Sequence, residues 1–274
     1  MPQPETPAPD PAPGVITLGR AGKKTTIGGR TRVIVPLTGD AASLRSQVAA
    51  LASCRADIAE WRADTFLASL VGSHFVAAAD IQSELTSAAR YVTDASPVPV
   101  LATIRTFVEG GHAYLDDEEY CALVRCLAPL VGAVDVEISR DGAASLIEDA
   151  HGAGALAVAS FHDFEATPSD EVLAEVLAAM NHAGADVLKF ACTATSATDA
   201  ARVLAAQAWA REAYDRPVIG ISMGDHGAPT RLVGSALGSA ATFATLPGWD
   251  GSAPGQFTVE QVRTVLDIVE GPEA

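Results

Sequence analysis

From residue 32 onward, short runs of apolar and β-branched residues alternate with longer stretches whose apolar positions recur every three or four residues. Apolar runs without polar alternation suit strands covered on both faces, and the longer spacing suits helices that lay one face on a sheet. The runs predict eight strands: 32 to 37 (RVIVPL), 56 to 62 (ADIAEWR), 98 to 105 (VPVLATIR), 133 to 138 (AVDVEI), 155 to 162 (ALAVASFH), 186 to 192 (DVLKFAC), 217 to 223 (PVIGISM) and 239 to 245 (SAATFAT). Between them lie helical stretches such as DAASLRSQVAALAS, DEEYCALVRCLAPL, SDEVLAEVLAAMNHAG and SATDAARVLAAQAWAREAY, each with a Ser, Asp or Thr near its start that suits an N-cap. Repeated strand-then-helix units imply a parallel sheet. Eight units over roughly 240 residues match an α/β fold of the (β/α)8 TIM-barrel kind. The segment from Val15 to Gly29, with KKTTIGG before the first long run, predicts an N-terminal β-hairpin closing the bottom of that barrel. No interdomain linker interrupts the pattern, so residues 14–274 are expected to form a single (β/α)8 domain. Residues 1–13, within MPQPETPAPDPAPG, have almost nothing to bury and predict a disordered Pro/Ala-rich tail.

Composition narrows the partners. A net charge of -16 opposes binding to nucleic acid and to anionic lipid, since both depend on basic residues neutralising phosphate. No apolar run reaches the ~20 residues of a membrane span, and the opening lacks the basic and apolar regions of a secretory signal. The four cysteines, Cys54, Cys121, Cys126 and Cys192, form no CxxC pair and have no histidine at zinc-ligand spacing. Neither a disulfide framework nor a structural metal is expected, and a reducing cytoplasm is the simplest setting. No GxxxxGK[ST] or GxGxxG motif marks a nucleotide site.

In a (β/α)8 barrel the site is built at the C-terminal ends of the strands. The polar residues expected there are Glu60, Arg62, Arg105, Glu109, Glu137, His162, Asp163, Lys189 and Met223, with the GSAPGQ loop (251 to 256) beyond strand eight. Lys189 stands out, because Val187, Leu188, Phe190 and Ala191 surround it and the only other lysines are Lys23 and Lys24. Burial disfavours the ammonium form and lowers a lysine's pKa from ~10.4, which an imine-forming amine requires. The plainer alternative is an ion pair, with Glu137 as the obvious partner. His162, at the end of the preceding strand, suits two-way proton transfer, or is a structural histidine. Asp163 either orients it or caps the next helix, for which Thr167 to Ser169 is the better candidate. Arg62, Arg105 and Arg231 suit recognition of a carboxylate in an otherwise acidic chain, although each has acidic neighbours to pair with. Together they suggest an anionic, hydroxyl-bearing small-molecule substrate, with Glu60 and Glu109 orienting arginines or accepting hydroxyls. The Gly- and Ser-rich tract from Ile221 to Gln256 is either a lid, offering Ser252 and Gln256 as neutral hydrogen-bonding groups, or an ordinary connection.

Six blocks in order carry a resemblance: EWRAD, TIR followed by EGG, SFHDFEATP, DVLKFA, SMGxxG with TRLVGSALGSAATF, and SAPGQ. With them the chain, from about Val15 to Val269, resembles the type I 3-dehydroquinate dehydratase family. The resemblance implies a barrel, commonly a homodimer, that converts 3-dehydroquinate to 3-dehydroshikimate by syn elimination through a lysine Schiff base, without metal or cofactor. It assigns the Schiff base to Lys189, the general acid/base to His162, and the carboxylate associated with that histidine to Glu109. It assigns substrate contacts to Glu60, Arg62, Arg105, Arg231, Ser252 and Gln256. Two positions depart from the family pattern: Asp225 and His226 in MGDHG, where many members carry a lysine, and Pro36, where some present a serine. A Schiff-base barrel aldolase also fits the fold and the lysine, but would want a phosphate site after strands seven and eight. A non-catalytic ligand-binding regulator is a third reading, against which the presence of both Lys189 and His162 counts.

Overall fold

The computed structural model describes residues 14–20, 22–73, 78–249, 251 and 256–272; the expected tail (1–13) and Ser252 lie outside the described residues. Two antiparallel strands come first, β1 (Ile16–Arg20) and β2 (Lys23–Ile27). Eight parallel strands follow among the described residues: β3 (Arg32–Leu37), β4 (Ile58–Arg62), β5 (Val100–Thr103), β6 (Ala133–Glu137), β7 (Leu156–Asp163), β8 (Val187–Thr193), β9 (Val218–Met223) and β10 (Ala241–Thr245). From β3 to β9 each pairs with the next in chain order, β10 pairs with β3, and an isolated bridge between Val218 and Ser239 joins the two ends. The ring closes where Ala240 N–H donates to the Val218 carbonyl at 2.8 Å and Arg32 N–H donates to the Ala240 carbonyl at 3.0 Å. A two-residue strand, β11 (Phe257–Thr258), pairs with β10.

All eight predicted strands are present, with ends that fall within two residues of those expected. At β5 the cause is local, since Pro97 and Pro99 have no N–H to give to a ladder and pairing begins at Val100. Helices α1 (Ala41–Leu51), α2 (Ala63–Ser73), α3 (Ala78–Ala95), α4 (Asp117–Leu127), α5 (Ala143–Gly152), α6 (Asp170–His182), α7 (Ala197–Ala213) and α8 (Val259–Val269) cover the outside, with α2 and α3 sharing the connection after β4. Side chains of Asp40, Asp116, Ser169, Ser196 and Thr258 cap α1, α4, α6, α7 and α8. Ser169 is therefore the cap of α6, while the Asp163 carboxylate accepts the Glu165 and Ala166 N–H groups and does not orient His162.

The alternation breaks after β9. There the chain forms two 3-10 segments, Asp225–Leu232 and Gly234–Leu237, because Pro229 removes a donor and glycines interrupt any helical period. The first segment packs onto β9: the Thr230 hydroxyl accepts from Ser222 N–H and donates to the Gly227 carbonyl. This part of the Gly-rich tract is a packed connection, not an open loop.

Side chains alternate across each strand, so the apolar runs feed two cores. Val33, Val35, Trp61, Val134, Val136, Leu188 and Phe190 face the helices, while Ile34, Ile58, Leu101, Val158, Val187 and Ile219 fill the barrel's lower interior. Leu18 and Ile27 of the hairpin join that inner cluster and plug the lower end. Arg20 fastens the plug by donating to the carbonyls of Ala128, Pro129 and Ala153. Leu18, at 1% exposure, should tolerate truncation poorly: Leu18→Ala is expected to lower unfolding stability by ~2–5 kcal/mol in a urea titration, and exposed Thr17→Ala by less than ~0.5.

Candidate active site

The same alternation that plugs the lower barrel lines its upper half with charge. Ile58, Glu60 and Arg62 share one face of β4, as do Ala133, Asp135 and Glu137 on β6, Val158, Ser160 and His162 on β7, and Val187, Lys189 and Ala191 on β8. The lowest member on each strand is apolar and the ionisable members sit above it, beneath a cavity of about 510 Å³ that includes its mouth. Glu60, Arg62, Arg105, His162, Lys189, Met223, Arg231 and Gln256 all line that cavity. Glu109 lies just behind it, on a 3-10 turn (Phe107–Glu109) after β5. Asp225 and His226 are exposed and Pro36 is buried in β3; none of the three lines the cavity.

Lys189 does not pair with Glu137. Its Nζ lies 3.1 Å from Asp135 Oδ2 and 3.4 Å from Glu60 Oε1, and 4.9 Å from the centre of the Phe243 ring. Glu137 is in ladder register with Ser160, and Ser160 with Lys189, but barrel strands tilt, so the carboxylate nearest the amine comes from two residues lower on β6. The amine thus sits against two carboxylates rather than among its apolar sequence neighbours. Two of those neighbours, Leu188 and Phe190, face the helices instead. Asp135 is the residue that sequence reasoning passed over. Its signal was an ionisable group in AVDVEI spaced two positions from Glu137, the same anomaly that singled out Lys189.

Arg105 gathers the carboxylates. Its Nη2 donates to Asp135 Oδ1 at 2.7 Å, and its Nη1 to Glu137 Oε1 at 2.9 Å and Glu109 Oε2 at 3.1 Å. Ser160 Oγ donates to Asp135 Oδ1 at 2.6 Å, and Thr103 Oγ1 to Glu60 Oε1 at 3.0 Å. Burial opposes the Arg105 charge, but Asp135, Glu109 and Glu137 more than offset it and raise its pKa above the ordinary arginine value. Burial likewise opposes the Asp135 carboxylate, and Arg105 and Lys189 overcome it, so its pKa falls below the usual range. Glu137 is a brace, bonded to Thr106 N–H, Thr106 Oγ1 and Arg140 Nε.

His162 Nδ1 is 2.9 Å from Glu109 Oε2, and Ser139 Oγ donates to Glu109 Oε1 at 2.7 Å. Burial, with Arg105, Lys189 and Arg62 nearby, pushes the imidazole's pKa well below 6.5, so the ring is neutral at neutral pH. Burial pushes the Glu109 carboxyl up to about 7, against the pull of Arg105. Arg62 forms a bidentate pair with Asp64, both contacts at 2.8 Å. Arg231 is buried at 3% exposure, and burial drives its pKa down to about 10.

A neutral imidazole, an amine and buried guanidinium groups around one cavity can move protons, attack a carbonyl and hold an anion. Comparison with known proteins places the chain in a family. A model of the family described as type I 3-dehydroquinase matches residues 33–273. The chain belongs to the type I 3-dehydroquinase family. The 3-dehydroquinate dehydratase of Klebsiella pneumoniae (strain 342) is 36% identical over 247 residues, covering 88% of this chain and 94% of that one. The crystal structure of 3-dehydroquinate dehydratase from Geobacillus kaustophilus HTA426 superposes with a TM-score of 0.83 at 30% identity, covering 96% of this chain and 98% of that one. The type I enzyme from Clostridium difficile, solved with covalently modified comenic acid, gives 0.78 at 30% identity over 93% and 97%.

The Glu109 shift has a consequence for stability. A carboxyl raised from 4.5 to about 7 is protonated more readily in the folded state, so it adds stability below pH 4.5 that is lost as pH rises through 7. Glu109→Gln should therefore match the parent near pH 4.5 and exceed it by about 2–3 kcal/mol at pH 8, in paired urea titrations. A constant difference across that range would show that Glu109 titrates normally.

Proposed function

We propose that this family member catalyses the shikimate-pathway dehydration of 3-dehydroquinate to 3-dehydroshikimate through an imine on Lys189. The observation that carries the reading is that Lys189 and the Glu109-supported His162 line one cavity whose walls also hold Arg62, Arg105 and Arg231. Arg231 would take the substrate carboxylate, and Glu60, Gln256 and Ser252 its hydroxyls.

Lys189 must first release a proton, and Asp135 and Glu60 are within reach of it. The free amine adds to the C3 carbonyl, and the carboxylate that took the proton returns it to the departing oxygen, so that loss of water from the adduct leaves an iminium and an ionised carboxylate. That positive charge takes the place of the ammonium charge beside Asp135, so the buried pair stays balanced. The iminium draws electrons from the C2–H bond, and neutral His162 takes the proton, leaving an enamine. The enamine then expels the C1 hydroxyl, which leaves as water with the proton held by His162. A single proton carrier makes the elimination syn. Hydrolysis of the product imine returns the water lost on its formation and frees Lys189. The net change is one water removed from the substrate. Residues 14–274 would work as one catalytic unit, and as a homodimer in the cytoplasm, with sedimentation giving twice the mass of 28.1 kDa.

Borohydride added with 3-dehydroquinate should attach substrate mass to Lys189 and to neither Lys23 nor Lys24. An unchanged intact mass would sink the mechanism. Lys189→Ala should abolish both turnover and trapping, while His162→Ala should slow turnover by ~10²–10⁴-fold and still allow trapping. A His162→Ala protein near the parent rate would show that another group carries the proton.

A further inference from the structure

Phe164 is large, apolar and 46% exposed, and it lines the cavity beside His162. Its ring lies nearly parallel to the imidazole, with centres 6.4 Å apart and planes 21° apart. The backbone around it is held firmly: Thr193 Oγ1 donates to its carbonyl at 3.0 Å, and Asp163 Oδ1 accepts the next two N–H groups at 2.9 Å each. The ring rests on Gly110. A Cβ at Gly110 would fall 2.4 to 2.7 Å from three Phe164 ring carbons, and the residue's φ of +76° also favours glycine. At Gly111 a Cβ would fall 2.1 Å from the Arg105 carbonyl oxygen. The three residues of EGG thus have separate tasks. Glu109 bonds the imidazole, Gly110 admits the Phe164 ring, and Gly111 lets the turn fold back on Arg105.

We propose that Phe164, seated on Gly110, is a positioning residue for His162: its ring shields the imidazole–Glu109 hydrogen bond from bulk water and fixes the plane in which the imidazole meets the substrate. The pairing is economical in geometry, because Gly110 follows Glu109 directly. One short turn sets both the acceptor behind the imidazole and the seat of the ring beside it. The charged groups around His162 are Glu109 on the turn, Arg105 after β5, Arg62 on β4 and Lys189 on β8. In a shielded pocket the three cations act strongly on the imidazolium, and admitted water screens them.

The test uses the full-length protein and two readouts. The first is the NMR titration of His162, assigned among the six histidines by comparison with His162→Gln, and it needs no substrate. In Phe164→Ala the His162 midpoint should rise towards the ordinary ~6.5 by about one pH unit. Gly110→Ala should displace the ring and reproduce that rise, and Phe164→Tyr should restore the parent midpoint. The second readout rests on the dehydration proposed above: kcat for 3-dehydroquinate should fall about tenfold in Phe164→Ala. An unmoved His162 titration in Phe164→Ala overturns the proposal, even if KM rises, since the ring would then only touch substrate. If the parent protein fails to turn over 3-dehydroquinate, the proposed reaction falls while the titration still decides the role of Phe164. Phe164 is half-exposed, so its truncation should leave the melting temperature within a few degrees, which circular dichroism checks.

Discussion

The Arg105 guanidinium sits at 3% exposure among Asp135, Glu137 and Glu109, and the catalytic half of the barrel is organised by what those three carboxylates do next. Asp135 reaches on to Lys189, Glu109 to His162, and Glu137 to the turn that begins at Thr106. A buried cation is tolerable only when paired and hydrogen-bonded, and a buried carboxylate likewise. Each charge therefore obliges the next, and strands β5 to β8 are locked in mutual register by polar contacts as well as by their ladder. The arrangement favours one geometry for the amine and imidazole over any alternative packing, as a purely apolar interior would not.

Such a network is costly to build, and the lower half of the barrel compensates. Beneath the charged layer the inward positions are Ile34, Ile58, Leu101, Val158, Val187 and Ile219, sealed by Leu18 and Ile27. The apolar layer supplies cohesion without constraining chemistry, and the charged layer constrains chemistry at some loss of cohesion. Glu109 illustrates the division, because burial that works against its ionisation is the same burial that keeps water from the imidazole it supports.

Most of the architecture was legible in the sequence for a physical reason. Strands such as RVIVPL and AVDVEI are buried on both faces, and a continuous apolar run has few other stable uses. The cavity's membership was legible too, because Lys189, His162 and the arginines are polar intruders at predicted strand ends. Pairing was not. Whether Lys189 meets Asp135 or Glu137 depends on strand tilt, which no local pattern records. In the sequence the 3-10 segments after β9 are open to reading as a lid or as an ordinary connection, because Gly and Pro hide the packing that Thr230 and Gly227 create. Phe164 went unnoticed since its meaning lies in a contact with Gly110, 54 positions away in the chain.

The hairpin plug also makes the barrel a blind well. With Leu18 and Ile27 filling its floor, anything that reaches Lys189 enters and leaves by the same upper opening. For the proposed reaction that includes the substrate, the product and every water molecule released or consumed at the imine. Traffic through one doorway must then be sequential, and departure of the product becomes a condition for the arrival of the next substrate.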